Sequence, residues 1–365
     1  MRFPGAEHAP RLVRHPQSGP QDLSPVASHL SADPLSFLGP LQELMADPAV
    51  TEVLVVDEDR VFVERHGYLH HANVVFPSRQ AIVDIAQRII APLGRELTMA
   101  QPFVDGRIPV LNVRVTATVP PFSRTPTLCL RKHNLMSPEP DAFVAAGSAS
   151  GEMMTLMGQV VRERRNFLIC GPTGSGKTTT ARLLARFIPR DERIITLEDT
   201  FELSLSAVHP HVVELETRSP NREGRYGIDT AEALRHVLHM RPDRIILGEV
   251  RAGEALQLLT AMGTGHRGSY CTIHAESVDD VFDRLVFAMM QSGTRLPAHA
   301  LRLHALRTIH FLLYTERCPD GQRRWTRLSR VDPGPEPRIE DIFRWDAARA
   351  QFVRASAPCL AGAVS

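Results

Sequence analysis

The feature that most constrains this chain is a glycine-rich stretch, GPTGSGKT, at positions 171–178. It fits the pattern G-x-x-x-x-G-K-[ST] at every fixed position, and that pattern is informative only between a strand and a helix. The apolar run Asn166–Cys170 predicts the strand, and residues 179–187 predict the helix. Glycines let several backbone N–H groups face one anion, and the helix adds the positive end of its dipole. The stretch therefore predicts a nucleoside triphosphate site, against the alternative of a chance glycine turn.

ATP and Mg²⁺ are the cofactors that this stretch predicts. Lys177 is expected to reach the β- and γ-phosphates, and the hydroxyl of Thr178 is expected to bind Mg²⁺. The residues expected to contact the nucleotide here are Gly171, Pro172, Thr173, Gly174, Ser175, Gly176, Lys177, Thr178 and Thr179.

Length and composition narrow the class of protein. A chain of 365 residues predicts two domains. The net charge of +1, without a block of like charges, gives no reason to expect direct nucleic-acid binding. The five cysteines are scattered with no C-x-x-C pair, which speaks against a zinc site or a disulfide framework. No apolar run approaches the ~20 residues of a membrane span, and no signal peptide is evident, so a cytoplasmic protein is expected.

Hydrophobic periodicity predicts two folded parts that differ in the order of their helices and strands. The first mixes helical and strand patterns, with Ser78 as a plausible helix N-cap. The second alternates strands and helices, which predicts a mostly parallel sheet with helices on both faces. The predicted organisation is a flexible leader (1–34), a small α+β domain (35–133), a linker (134–150), an α/β nucleotide-binding domain with a C-terminal antiparallel β tail (151–355), and a flexible end (356–365).

Three later segments place polar residues at the ends of predicted strands, where a parallel sheet binds its ligand. Glu198 and Asp199 follow one strand, and either carboxylate can orient or deprotonate a water; alternatively Asp199 or Thr200 begins a helix. Glu249 ends an apolar strand and is expected to hold Mg²⁺, unless it is a surface residue after a buried strand. His274 ends the next strand and can stabilise phosphate charge, although a lone histidine is often structural.

Together these motifs resemble one protein family. GPTGSGKT, LEDTFEL (197–203), RPDRIILGEVR (241–251) and GTGHRGSYCTIHAES (263–277) follow the order of the Walker A, Asp box, Walker B and His box of type II and type IV secretion ATPases. The N-terminal phrases at 47–53 and 61–67 are most similar to the VirB11, TrbB and CpaF/TadA branch. The resemblance covers roughly 40–355, and the cysteine zinc element of the type II branch is absent.

The resemblance implies a RecA-like P-loop ATPase domain beside the smaller N-terminal domain, with ATP bound between them. It implies a homo-oligomer, a hexameric ring, docked on inner-membrane secretion or pilus proteins without a transmembrane segment of its own. Glu198 or Asp199 then orients or deprotonates the water, Glu249 is the Walker B residue and His274 is the His-box residue. Arg114 and Arg131 are the best matches to N-terminal arginines that touch the nucleotide, with Arg107 and Arg124 as competitors.

The predicted function is a Mg²⁺-dependent ATPase, a motor for type IV secretion, conjugation or pilus assembly at the inner membrane. One alternative is a nucleotide-gated assembly or regulatory protein with little turnover. It is kept open because His239 stands where many relatives of this family have an arginine. Another is a RecA-like DNA helicase, against which the near-neutral composition argues.

Overall fold

The computed structural model describes residues 36–65, 67–91, 95–108, 111–132, 138–218, 227–334 and 337–355. The predicted leader, the predicted flexible end and positions 134–137 of the predicted linker lie outside these residues. The chain divides into two compact units between Lys132 and His133.

The first unit is built on a six-stranded antiparallel sheet with the order β3-β2-β1-β6-β5-β4. A short 3-10 segment, Ser36–Leu41, and helix α1, Gln42–Ala46, precede the sheet. Its strands are β1 (Val50–Asp57), β2 (Arg60–Arg65), β3 (Tyr68–Ala72), β4 (Phe103–Ile108), β5 (Val113–Thr118) and β6 (Thr127–Lys132). Strand β4 was not predicted, because Asp105 and Gly106 in its centre are residue types that strands disfavour.

Helix α2, Arg79–Ile90, contributes the second layer of this unit. The predicted N-cap is confirmed: the Ser78 side chain accepts a hydrogen bond from the backbone N–H of Ala81. Ile82, Ile85 and Ile89 recur at helical spacing and are buried in the same core as the inward residues of the sheet.

The second unit contains a nine-stranded sheet with the order β15-β14-β13-β12-β7-β11-β10-β8-β9. Pairing is parallel from β12 through β7, β11, β10 and β8 to β9, and antiparallel from β12 to β15. The strands are β7 (Phe167–Gly171), β8 (Ile194–Glu198), β9 (Val212–Glu216), β10 (Arg244–Val250), β11 (Tyr270–His274), β12 (Phe311–Arg317), β13 (Arg323–Asp332), β14 (Arg338–Asp346) and β15 (Gln351–Arg354).

Two hydrophobic cores use opposite faces of this sheet. In β7, Phe167 and Ile169 belong to one core with α4 and α5, whereas Leu168 and Cys170 belong to the other with α6 to α9. This alternation is the two-residue period of a strand that is buried on both faces. The helices are α3 (Pro140–Ala145), α4 (Gly151–Arg162), α5 (Lys177–Ala185), α6 (Thr230–Val237), α7 (Glu254–Gly263), α8 (Val281–Met290) and α9 (Ala298–Thr308).

The prediction of a mixed α/β fold is confirmed. Like β4, strand β9 was not predicted. The predicted antiparallel β tail includes the segment Phe343–Val353. It forms parts of β14 and β15, because Asp346 accepts hydrogen bonds from the N–H groups of Ala348 and Arg349 and turns the chain. No helix among the described residues is long and apolar enough to cross a bilayer.

Candidate active site

The glycine-rich loop lies between β7 and α5, at the carboxyl end of a strand near the middle of the sheet. Gly171, Gly174 and Gly176 have φ values of 148°, 73° and 101°, which L side chains rarely adopt. A Cβ atom on Gly171 would lie 2.0 Å from the carbonyl oxygen of Thr315, so only glycine fits there. The first turn of α5 leaves backbone N–H groups without intrahelical partners, and these are the donors that bind phosphate in such loops.

Lys177, the first residue of α5, is folded back onto the loop. Its Nζ donates to the carbonyl oxygens of Gly171 (2.9 Å) and Pro172 (2.8 Å) and lies 3.4 Å from Nδ1 of His274. Burial lowers the pKa of this ammonium group. The carbonyl groups that this ammonium group contacts carry no charge, so it can still attract an anion such as a phosphate.

The antiparallel extension supports the loop from the side. Ser175 and Thr315 share a hydrogen bond between their hydroxyls (2.9 Å), and Arg323 Nε donates to the carbonyl of Gly174 (2.8 Å). The indole N–H of Trp325 donates to Thr180 Oγ1 in α5. The sequence reading missed Thr315, Arg323 and Trp325, because no local pattern relates them to a loop about 140 residues earlier.

Glu249, the second-last residue of β10, contacts His274, the last residue of the adjacent parallel strand β11, with Oε1 of Glu249 3.0 Å from Nε2 of His274. Burial and the neighbouring Lys177 lower the pKa of His274, so the ring is neutral at pH 7. A neutral ring protonated at Nε2 donates to Glu249 and leaves Nδ1 to accept from Lys177, so one tautomer satisfies both contacts.

Glu198 and Asp199 have different environments. Glu198 is buried, and its Oε2 accepts the backbone N–H groups of Glu202 and Leu203 at 2.9 Å each. Its Oε1 is also buried and has no hydrogen-bond partner among the described residues. Burial raises the pKa of Glu198 to about 7. A Cβ on Gly248 would lie 2.9 Å from Glu198 Cγ, so the glycine makes room for this carboxyl group.

Asp199 is exposed and belongs to an ion-paired network. Its Oδ2 lies 3.0 Å from Arg251 Nη1, and its Oδ1 accepts from the hydroxyls of Thr217 and Thr230. Arg251 Nη2 also lies 2.6 Å from Glu249 Oε2. In the described part of this segment no helix begins at Asp199 or Thr200, so the capping alternative is wrong. Arg251 was not singled out from the sequence, although it directly follows the Walker B strand.

The donor set fits Mg²⁺. The Thr178 hydroxyl makes no hydrogen bond within the described ranges, and Glu249 supplies a carboxylate at the same edge of the sheet. The described residues contain no cluster of three or more His, Cys, Asp or Glu side chains that would hold a metal by itself. In nucleotide sites Mg²⁺ usually binds through one or two protein oxygens, substrate phosphates and water.

A cleft of about 300 Å³ lies beside the loop, within the second unit. Phe143 and Trp325 pack there with ring centroids 5.3 Å apart, which gives the cleft an aromatic wall. The lining mixes polar and apolar side chains, which suits a small ligand that has both kinds of surface. Its lining includes Phe143, Ser175, Gly176, Thr179, Arg323 and Trp325.

The predicted N-terminal arginines form a row across the first unit's sheet. Arg114 on β5 pairs directly with Arg131 on β6 and with Arg107 on β4, so the three side chains share one face. Arg107 also donates to the side chain of Asn112. Arg124 lies instead in the turn between β5 and β6.

Comparison with known proteins gives consistent matches. The family model described as "Type II/IV secretion system protein" matches residues 36–318. A "Putative conjugal transfer protein" of Mycobacterium tuberculosis is 34% identical over 329 residues, covering 88% of this chain and 92% of that protein. "Type IV secretion system protein VirB11" of Brucella suis is 28% identical over 292 residues, covering 73% and 80%. The ATPase DotB of Legionella pneumophila has a similar fold, with a TM-score of 0.57 at 20% identity, covering 80% of this chain and 78% of that chain.

Proposed function

The chain belongs to the type II/IV secretion system protein family, and we propose that it is the ATP-hydrolysing motor of a type IV secretion, conjugal transfer or pilus assembly system. One observation carries this proposal. The loop lysine, a histidine and a carboxylate from three different segments meet in consecutive contacts, Lys177 to His274 to Glu249, at the carboxyl edge of the sheet. That is the edge at which α/β folds bind phosphates.

The chemistry follows from these groups. Backbone N–H groups of the loop and of the first turn of α5 bind the phosphates, and Lys177 exchanges its two carbonyl partners for phosphate oxygens. Thr178 and Glu249 would hold Mg²⁺, and the bound cation would neutralise charge that develops on the phosphates. Nδ1 of His274 lies 3.4 Å from Nζ of Lys177, and we propose that His274 stabilises the charge of the phosphate that Lys177 binds.

We assign the water-orienting role to Glu198. Its pKa of about 7 suits a base that works near neutral pH. Oε2 is fixed by two backbone N–H groups, which leaves Oε1 as the oxygen for the water. Oε1 is shielded in this conformation, so nucleotide binding has to open the site around Gly248. Asp199 would then pair with Arg251 and would not orient the water.

The cleft beside the loop is the proposed site for the base and the ribose. The half-buried ring of Phe143, packed against the buried Trp325, is the aromatic surface proposed for a planar base, and Arg323 lines the cleft and donates to the loop carbonyl of Gly174. The arginine row of the first unit, Arg107, Arg114 and Arg131, is proposed to supply further positive charge to the nucleotide.

The motor is proposed to work as a hexameric ring with domain boundaries at 35–133 and 151–355, docked from the cytoplasmic side on inner-membrane proteins of its system. Similarity to a conjugal transfer protein and to VirB11 supports this placement. No membrane-spanning helix occurs among the described residues. The proposed attachment runs through partner proteins.

A second candidate is a nucleotide-gated protein with little turnover. The observation in its favour is that both carboxylate oxygens of Glu249 are engaged, one by His274 and one by Arg251. Normal ATP binding with equal, negligible hydrolysis in wild type and Glu249→Gln would favour it over the motor.

Nucleotide binding has a direct test, because the chain contains only two lysines, Lys132 and Lys177. Acetylation with a limiting amine-reactive reagent, followed by mass spectrometry, reads both at once. We expect MgATP to protect Lys177 severalfold while Lys132, which donates to the carbonyl of Asp47 in the first unit, serves as the internal reference. Unchanged labelling of Lys177 at millimolar MgATP would contradict the proposal.

A further inference from the structure

Arg251 joins two carboxylates that belong to different segments. Its Nη2 and Nε lie 2.6 and 3.0 Å from Oε2 of Glu249, at the end of β10. Its Nη1 lies 3.0 Å from Oδ2 of Asp199, which follows β8. The pairing with Glu249 raises the pKa of the guanidinium group, so the bridge is always charged.

The position of Arg251 is fixed by its backbone. Buried Glu254 accepts hydrogen bonds from the N–H groups of Arg251 (2.7 Å) and Ala252 (2.9 Å) through one oxygen. A Cβ on Gly253 would lie 2.8 Å from the backbone of Ser292, so the turn is closely packed. The backbone is therefore held while the guanidinium, 59% exposed, keeps the freedom to move.

Glu249 has no free oxygen in this arrangement. His274 takes Oε1 and Arg251 takes Oε2. A divalent cation that uses Glu249 has to compete with a guanidinium for the same carboxylate, and two cations close to each other repel. Asp199 offers Arg251 a second anion, so the guanidinium can leave Glu249 without losing every partner.

We propose that Arg251 is a positioning residue that acts as a competing counter-ion: it holds Glu249 in the nucleotide-free protein, and it moves to Asp199 when the cation of the nucleotide complex binds. This inference rests on the proposed function, because it assumes that Glu249 serves the Mg²⁺ of a bound nucleotide. Arg251 then lowers the affinity of the site for Mg²⁺-nucleotide, because the Mg²⁺ has to displace the guanidinium group before it can bind Glu249.

The proposal is tested by measuring binding and not a rate. The dissociation constant of a fluorescent, non-hydrolysable ATP analogue is measured for the full-length protein without Mg²⁺ and with saturating Mg²⁺. The ratio of the two constants is the factor by which Mg²⁺ tightens binding, called the Mg²⁺ factor below. In Arg251→Gln we expect this factor to exceed the wild-type factor by roughly three- to tenfold, because the competing charge is gone. A structural defect would not tighten binding, so an unchanged or smaller factor would overturn the proposal.

Two matched variants separate charge competition from general electrostatics. Arg284→Gln removes another arginine whose charge reaches His274 but which, in the described structure, makes no hydrogen bond or ion pair with Glu249, and we expect a change below about twofold. Arg251→Lys keeps the charge and is expected to stay within about twofold of wild type. Tightening in the lysine variant equal to that in Arg251→Gln would contradict charge competition.

Asp199→Asn should act in the opposite direction. Without Asp199 the guanidinium has only Glu249, so the Mg²⁺ factor should fall roughly threefold in the wild-type background and clearly less in the Arg251→Gln background. Equal effects in both backgrounds would show that Asp199 does not act through Arg251. Lys177→Ala identifies failure of the proposed function: if it binds the analogue as tightly as wild type, the nucleotide site itself is misassigned, whatever the Arg251 variants do.

Discussion

The Nε2 atom of His274 lies 3.0 Å from Oε1 of Glu249, so the last residue of one strand holds the carboxylate at the end of its neighbour. The contact arises because β10 and β11 are parallel and adjacent, which brings both carboxyl ends to one edge of the sheet. The other ring nitrogen, Nδ1, lies 3.4 Å from Nζ of Lys177 in the glycine-rich loop. One ring therefore connects the phosphate-binding loop with the proposed Mg²⁺ ligand.

The pKa of His274 predicts a pH-dependent stability. Burial and Lys177 lower this pKa below the 6.5 of an unfolded histidine, so the folded protein binds fewer protons than the unfolded chain between the two values. The free energy of unfolding should therefore fall as the pH drops through 6.5. His274→Asn should lose this component, which urea denaturation at pH 5.5 and 7.5 measures as the wild-type-minus-variant difference. An identical pH dependence in both proteins would contradict the assignment.

Glu198 predicts the opposite slope. Its folded pKa is about 7, above the 4.5 of an unfolded glutamate, so its contribution is full below 4.5 and is lost as the pH rises through 7. Glu198→Gln should therefore be more stable than wild type at pH 8, by about 1–3 kcal/mol, and should lose most of its hydrolysis. Asp191→Asn, which removes an exposed carboxylate outside the proposed site, is the control. A lower stability of Glu198→Gln at pH 8 would argue against the ionised, buried carboxyl group.

Two glycines of the loop should respond differently to alanine. Gly171→Ala places a Cβ 2.0 Å from the Thr315 carbonyl at φ +148°, so we expect a loss of about 3 kcal/mol or more and no nucleotide binding. Gly174→Ala has nothing within 4 Å of its Cβ and suffers only the left-handed backbone conformation, about 1–2 kcal/mol. Chemical denaturation of both variants measures the difference. Equal losses would contradict the close approach of β12 to the loop.

The arginine row of Arg107, Arg114 and Arg131 is expected to lower the stability of the protein while it helps to bind the nucleotide. Arg114 stands directly between Arg107 and Arg131, and like charges opposite one another destabilise a sheet. Arg114→Thr should raise the stability of the protein at low salt by about 0.5 kcal/mol and should weaken nucleotide binding or hydrolysis severalfold. Arg124→Thr, in the turn, should change neither by as much. If Arg114→Thr is stabilised but fully active, the row does not serve the nucleotide.

Local patterns predicted much of this site because its parts follow a simple rule. An apolar run ending in an acid or a histidine predicts a strand end, and parallel pairing then brings Glu249 and His274 together. Likewise, the glycine spacing predicts a loop that requires positive φ.

The remaining features depend on packing between distant segments. Thr315, Arg323 and Trp325 reach the loop only because β12 pairs with β7 and β13 follows it back. Glu198 and Asp199 were equivalent in the sequence, and only the loop that folds over Glu198 makes one buried and the other exposed. Burial, not residue type, separates their roles.

The central claim is that the Lys177 site hydrolyses ATP. Phosphate release by the purified full-length protein with MgATP, compared between wild type and Lys177→Ala, tests it most directly, with Lys132→Ala as the control for loss of a lysine. We expect turnover by wild type and the control, and release by Lys177→Ala at the level of the enzyme-free blank. Equal rates in wild type and Lys177→Ala would contradict the account.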